Sequence, residues 1–110
     1  MDSAEQSALT EALDRLWARF IPQIEERVAV LESAAAALNS GQLSVSQSEA
    51  ASAAAHKLAG VLGTFGLDKG TVLARELEIE YSRVGGLDPA GAGRLIEMVA
   101  GLRAMIESHK

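Results

Sequence analysis

Apolar residues recur every three or four positions along almost the whole chain, interrupted at only a few points by glycine, proline or serine. That period is the turn of an α-helix, whereas a half-buried strand alternates in twos. The pattern therefore admits a bundle of helices and little else. Composition agrees where it bears on the point: aromatics make up 4% of the residues and prolines number two, while alanine and leucine, which favour helix, dominate. A chain of 110 residues is expected to form one domain spanning 1–110 and to bury roughly two thirds of its unfolded surface. The expected class is all-α, an antiparallel up-down-up-down four-helix bundle with an additional N-terminal helix.

Ser3 or Ser7 is placed to cap a first helix carrying Leu9, Leu13, Leu16, Trp17 and Phe20. A break is expected near Pro22, with one kinked rod through Leu16–Ile24 as the alternative. Ile24, Val28, Leu31, Ala35 and Leu38 then mark a second amphipathic helix, ended by Asn39-Ser40-Gly41. A third helix is expected from about Ser46 to Phe65, stopping at Gly66, with Ser44 or Ser46 as cap and Glu49 completing a capping box with Ser46. Asp68 opens a fourth along Val72, Leu73, Leu77, Tyr81 and Val84, closed by Gly85-Gly86. Asp88-Pro89 caps the last, which runs through Leu95, Ile96, Val99, Leu102 and Ile106, with Ser108-His109-Lys110 expected to fray. Trp17 and Phe20 are expected to pack in the core or at the end of the bundle.

Several functions are disfavoured at once. The chain has no cysteine and only two histidines, isolated from one another, so neither a disulfide framework nor a thiolate metal site is available. A formal charge of −5, with the basic residues scattered, argues against nucleic acid and against an anionic membrane surface. No apolar run reaches the length of a membrane span, and the start, Met1-Asp2-Ser3-Ala4-Glu5-Gln6, lacks the basic lead of a secretory signal. A cytoplasmic protein is the expectation, and a monomer the simpler one.

One histidine stands out. On a helical wheel Ala51, Ala54, Ala55, Leu58, Val61, Leu62 and Phe65 share one side and His56 falls on the other. Its one-turn neighbours are Ser52, Ala53, Ala59 and Gly60, with Glu49 and Gly63 two turns away, so little bulk rises beside the imidazole. The ring is expected to project into solvent with an access surface for another protein made by Ser52, Ala53, Ala59, Gly60 and Gly63. Each helical glycine costs about 1 kcal/mol against alanine, so two on this face point to close approach by a partner, with close helix packing as the plainer explanation. Lys57, a quarter turn away, can offer positive charge to whatever the ring carries.

The ordered set Ala55, His56, Leu58, Gly60, Phe65, Gly66 and then Leu77-Glu78 resembles the signature of histidine-containing phosphotransfer (HPt) domains. It departs from that signature at Ala59, where a lysine is usual, and at Gly70, where a core leucine is usual. The resemblance implies that His56 accepts a phosphoryl group and passes it on, exchanging it with the aspartate of a response-regulator receiver domain in a relay fed by a sensor or hybrid histidine kinase. It also implies that Mg2+ is held by the receiver and that the carrier needs no cofactor, metal or kinase activity of its own. With no lysine at 59, Lys57 is the nearest candidate for the charge role.

The chemistry suits such a chain. A neutral imidazole nitrogen offers a lone pair to phosphorus near neutral pH, free imidazole titrating near ~6.5, and transfer depends mostly on positioning and charge neutralisation. The ordinary alternative is a solvated surface histidine; the ordered motif weighs against it. A helical docking module that binds a kinase or receiver without carrying phosphate is the second reading. General-base catalysis by His56 is the weakest, because the sequence gives no carboxylate a place beside the ring.

Overall fold

A computed structural model describes residues 3–83 and 86–109. Four helices follow in order: α1, Ser3–Asn39; α2, Val45–Thr64; α3, Asp68–Tyr81; and α4, Ala92–His109, entered through a single 3-10 turn at Pro89–Gly91. Contacts run α1 to α2, α2 to α3, α3 to α4 and α4 back to α1, which closes an antiparallel four-helix bundle. The expected all-α architecture is present, and no strand occurs among the described residues.

The additional N-terminal helix is there but is not separate. α1 passes through Pro22 without ending, so the expected break does not occur. Pro22 is exposed, and the carbonyl of Ala18, one turn earlier and also exposed, can bond water in place of the missing N–H. The first turns of α1 extend its axis, giving a molecule 54 × 21 × 20 Å.

Inward stripes meet in one core: Ile24, Val28, Leu31 and Leu38 from α1, Leu58 and Leu62 from α2, Leu77 and Tyr81 from α3, and Leu95, Val99, Leu102 and Ile106 from α4. Leu9, Leu13, Val72 and Ile96, expected in apolar stripes, are instead exposed. Leu9 and Leu13 lie on the part of α1 that overhangs its neighbours. Val72 stands about 160° around α3 from Ala74 at 100° per residue, opposite the buried line Gly70, Ala74, Leu77, Tyr81. Ile96 lies just beyond the arc that α4 turns inward. Val84 and Gly85 fall outside the described residues, as does Lys110.

α2 starts one residue earlier than expected, and its capping box uses a different pair. The Gln47 N–H donates to Ser44 Oγ and the Ser44 N–H to Gln47 Oε1, both at 3.0 Å; Ser46 and Glu49 play no part in it. The helix leaves at Gly66, where φ is +73°, and the Leu67 N–H bonds back to the Leu62 carbonyl at 2.9 Å. Gly70 fits a close approach: a Cβ there would lie 3.1 Å from Leu62 Cδ1. The glycine thus lets α3 seat against α2 and starts a regular helix.

At the bundle end, Trp17 is 6% exposed and meets Phe65 edge-on, ring centroids 5.0 Å apart. His109, expected in a frayed tail, is the last residue of α4 and packs its ring on Trp17 at 4.5 Å. Phe20 joins through Phe65 at 6.2 Å.

Candidate functional site

α2 and α3 are antiparallel neighbours, and a row of polar contacts runs along their seam. Ser48 Oγ donates to the Tyr81 carbonyl at 2.8 Å, and Thr71 Oγ1 to the Ala59 carbonyl at 3.3 Å. Between them Ser52 Oγ and Ser82 Oγ lie 2.7 Å apart. Ser82 Oγ gives its single proton to the Glu78 carbonyl at 2.6 Å, so Ser52 is the donor in that pair. These bonds fix the last turn of α3 against α2 and with it the backbone of Glu78.

His56 sits in the middle of this row. Its Nδ1 lies 2.9 Å from Glu78 Oε2. An ionised carboxylate only accepts, so Nδ1 carries a proton, and in the neutral ring the lone pair is then on Nε2. The His56 side chain is 73% exposed and that of Glu78 32%, which leaves the Nε2 side of the ring open. The imidazole is thus held in one tautomer on one edge and free on the other. That carboxylate is the residue sequence reasoning passed over: Glu78 was visible in the motif, but a separation of 22 residues carries no register.

The ring opens onto a groove of about 850 Å³, bounded by Leu43, Val45, Ser48, Glu49, Ser52, Lys57, Tyr81, Ser82, Arg83 and Leu87 among others. Its lining mixes apolar side chains and serines with both signs of charge, Glu49 and Glu78 against Lys57 and Arg83. Lys57 is exposed on the same side as His56.

The expected access surface divides. Ala53, Gly60 and Gly63 are exposed and Ser52 is half-buried. Ala59 is 4% exposed and so is not part of that surface: it lies about 60° around α2 from His56 on the side α3 covers, with Thr71 bonded to its carbonyl. A Cβ on Gly60 would meet nothing within 4 Å, whereas one on Gly63 would touch Thr71 Oγ1 at 3.5 Å. Gly60 therefore keeps open space beside the ring, and Gly63 serves the α2–α3 seam as well.

Among the described residues no helix is long and apolar enough to cross a membrane, and no group of three or more His, Asp or Glu side chains is placed to hold a metal ion. The chain is 33% identical over 105 residues to Protein RcaC of Microchaete diplosiphon, an alignment covering 96% of this chain and 16% of that protein. No solved structure matches. Residues 15–108 match the family described as Hpt domain, a stretch that takes in α1 from residue 15 onward, α2, α3, all but the last residue of α4, the His56–Glu78 pair and the groove: the chain belongs to the Hpt domain family, the phosphocarrier modules of two-component phosphorelays.

Proposed function

We propose that this chain is a phosphorelay intermediate in which His56 Nε2 takes a phosphoryl group from the aspartate of a response-regulator receiver domain and returns it to another. The observation that carries this reading is the exposed ring with Nδ1 engaged by Glu78 and Nε2 open. In the forward step the P–O bond to the aspartate breaks as the P–N bond to Nε2 forms, and the aspartate leaves as carboxylate. Nδ1 keeps its proton, so the phosphorylated ring is an imidazolium whose charge Glu78 meets. Reversal expels a neutral ring, a good leaving group. Lys57 on the rim supplies positive charge to the phosphoryl oxygens. The receiver brings Mg2+ and the acidic pocket, and the carrier needs no cofactor.

Residues 1–110 act as one module whose partners are receiver domains and sensor or hybrid histidine kinases, in a cytoplasmic setting. The module presents the groove beside His56 to each partner in turn, and Ala53 and Gly60 keep the approach low. The docking-only reading draws on the absent lysine at 59. It predicts binding without transfer.

Incubation with a labelled, phosphorylated receiver and Mg2+ separates the two. Label is expected on the wild-type chain and not on His56→Gln; label reaching both equally, or neither from any competent donor, refutes the carrier reading. Gly60→Leu is expected to keep helix content, since nothing opposes a side chain there, and to slow transfer by crowding the ring. Transfer at the wild-type rate would remove the access argument.

A further inference from the structure

By local rules the end of α3 is weak. The carbonyls of its last turn, Glu78 to Tyr81, have no partner within the regular helix, and no basic residue lies there to meet them. Glu78 and Glu80 add negative charge at the end where the helix dipole already concentrates it. Part of what closes this end comes from α2. Ser48 Oγ donates to the Tyr81 carbonyl at 2.8 Å. Ser82, the capping residue, places its N–H at 3.0 Å and its hydroxyl at 2.6 Å from the Glu78 carbonyl, and Ser52 donates to that hydroxyl at 2.7 Å. A hydroxyl within a helix commonly bonds the carbonyl one turn back in its own helix, as Thr10, Thr64 and Ser108 do in this chain. Ser48 and Ser52 reach across to α3 instead. With His56 they stand at intervals of four, so one row of α2 carries both the cap of α3 and the ring that Glu78 holds.

We infer that Ser48 and Ser52 are positioning residues for phosphotransfer. By capping α3 from the helix that bears His56, they keep the Glu78 carboxylate at Nδ1 and so keep Nε2 as the nitrogen that attacks phosphorus. Neither serine touches the phosphoryl group. Glu78 is a long, half-buried side chain, and its carboxylate stays on the ring only while the turn beneath it keeps its place against α2. Without the two serine bonds that turn frays, the carboxylate leaves, and the exposed ring rotates and exchanges tautomers. The effect on transfer rate rests on the carrier reading; the effect on the ring belongs to the unphosphorylated chain and does not.

The test combines Ser48→Ala/Ser52→Ala, in the full chain, with two readouts: the 15N-correlated NMR spectrum of the unphosphorylated His56 ring, and single-turnover transfer from a labelled, phosphorylated receiver with Mg2+. Alanine favours helix more than serine does, so α2 itself is not weakened. The ring is expected to pass from Nδ1-protonated to a mixture of tautomers, and transfer to slow about fivefold, the scale of one or two modest hydrogen bonds. Made in a Glu78→Ala chain, the same pair of changes is expected to cost no further rate, because residues that act through a common partner are not additive. A wild-type ring spectrum in Ser48→Ala/Ser52→Ala overturns the inference, and so does an equal further loss of rate in the Glu78→Ala background, which marks a general structural effect. A wild-type chain that takes no label refutes the carrier reading instead, and the ring spectra then decide the positioning on their own.

Discussion

In the proposed carrier role, the 2.9 Å contact between Glu78 and His56 selects which nitrogen takes the phosphoryl group. Removing it leaves an exposed ring free to rotate and to exchange tautomers. Glu78→Ala is expected to slow single-turnover phosphotransfer about tenfold, the worth of one charge-assisted hydrogen bond, while Glu78→Gln, which still accepts at Nδ1, keeps more of the rate. A wild-type rate in Glu78→Ala would show that the contact plays no part. Tyr81, below the same groove, makes a second prediction. Its hydroxyl is buried with no partner among the described residues, and burial pushes its pKa up to about 12. In the unfolded chain the phenol ionises near ~10, so above that pH the unfolded state releases the proton first and stability falls until the folded value is passed. Tyr81→Phe is expected to flatten this alkaline loss and to be neutral or about 1 kcal/mol stabilising at neutral pH, since it deletes an unsatisfied polar group. Denaturant titrations at neutral and alkaline pH check both. The sequence revealed His56 because its face of the helix holds only small residues. It hid the role of Glu78, because the register between α2 and α3 is set by packing at positions such as Gly70.

Among the elements, α1 is where local rules and tertiary packing disagree. A proline inside a helix loses a hydrogen bond, and the expected break at Pro22 followed from that cost. Trp17 and Ile24 on either side of it are both buried against the bundle, and that burial holds the helix straight through the defect. Pro22→Ala is therefore expected to raise unfolding stability by ~1–3 kcal/mol with no gain in native helicity. A rise in ellipticity would mean that the native rod is broken at this point. At α2 the error was smaller. Ser44 and Ser46 both precede an amphipathic run, and each has a partner three residues on, Gln47 or Glu49; sequence alone ranks them poorly because both satisfy the same cap chemistry. The exposed Val72 and Ile96 have a different cause, since apolar spacing marks a helical stripe but not how wide an arc the neighbours cover.

For the whole molecule, the bundle was legible because four helical periods with short links leave few ways to close a core. Its elongation was not, because the first turns of α1 resemble a packed helix in pattern while projecting past every neighbour. His109 shows the same limit: a terminal Ser-His-Lys reads as tail, yet its ring completes the aromatic cluster on Trp17. What matters for function is that the closed core turns one imidazole outward with its Nδ1 already occupied. The most direct test is an 15N-correlated NMR spectrum of the His56 ring before and after phosphorylation by a charged receiver. The expected result is an Nδ1-protonated ring that gains phosphorus coupling at Nε2 alone; phosphorus on Nδ1, or on any residue other than His56, would contradict the account.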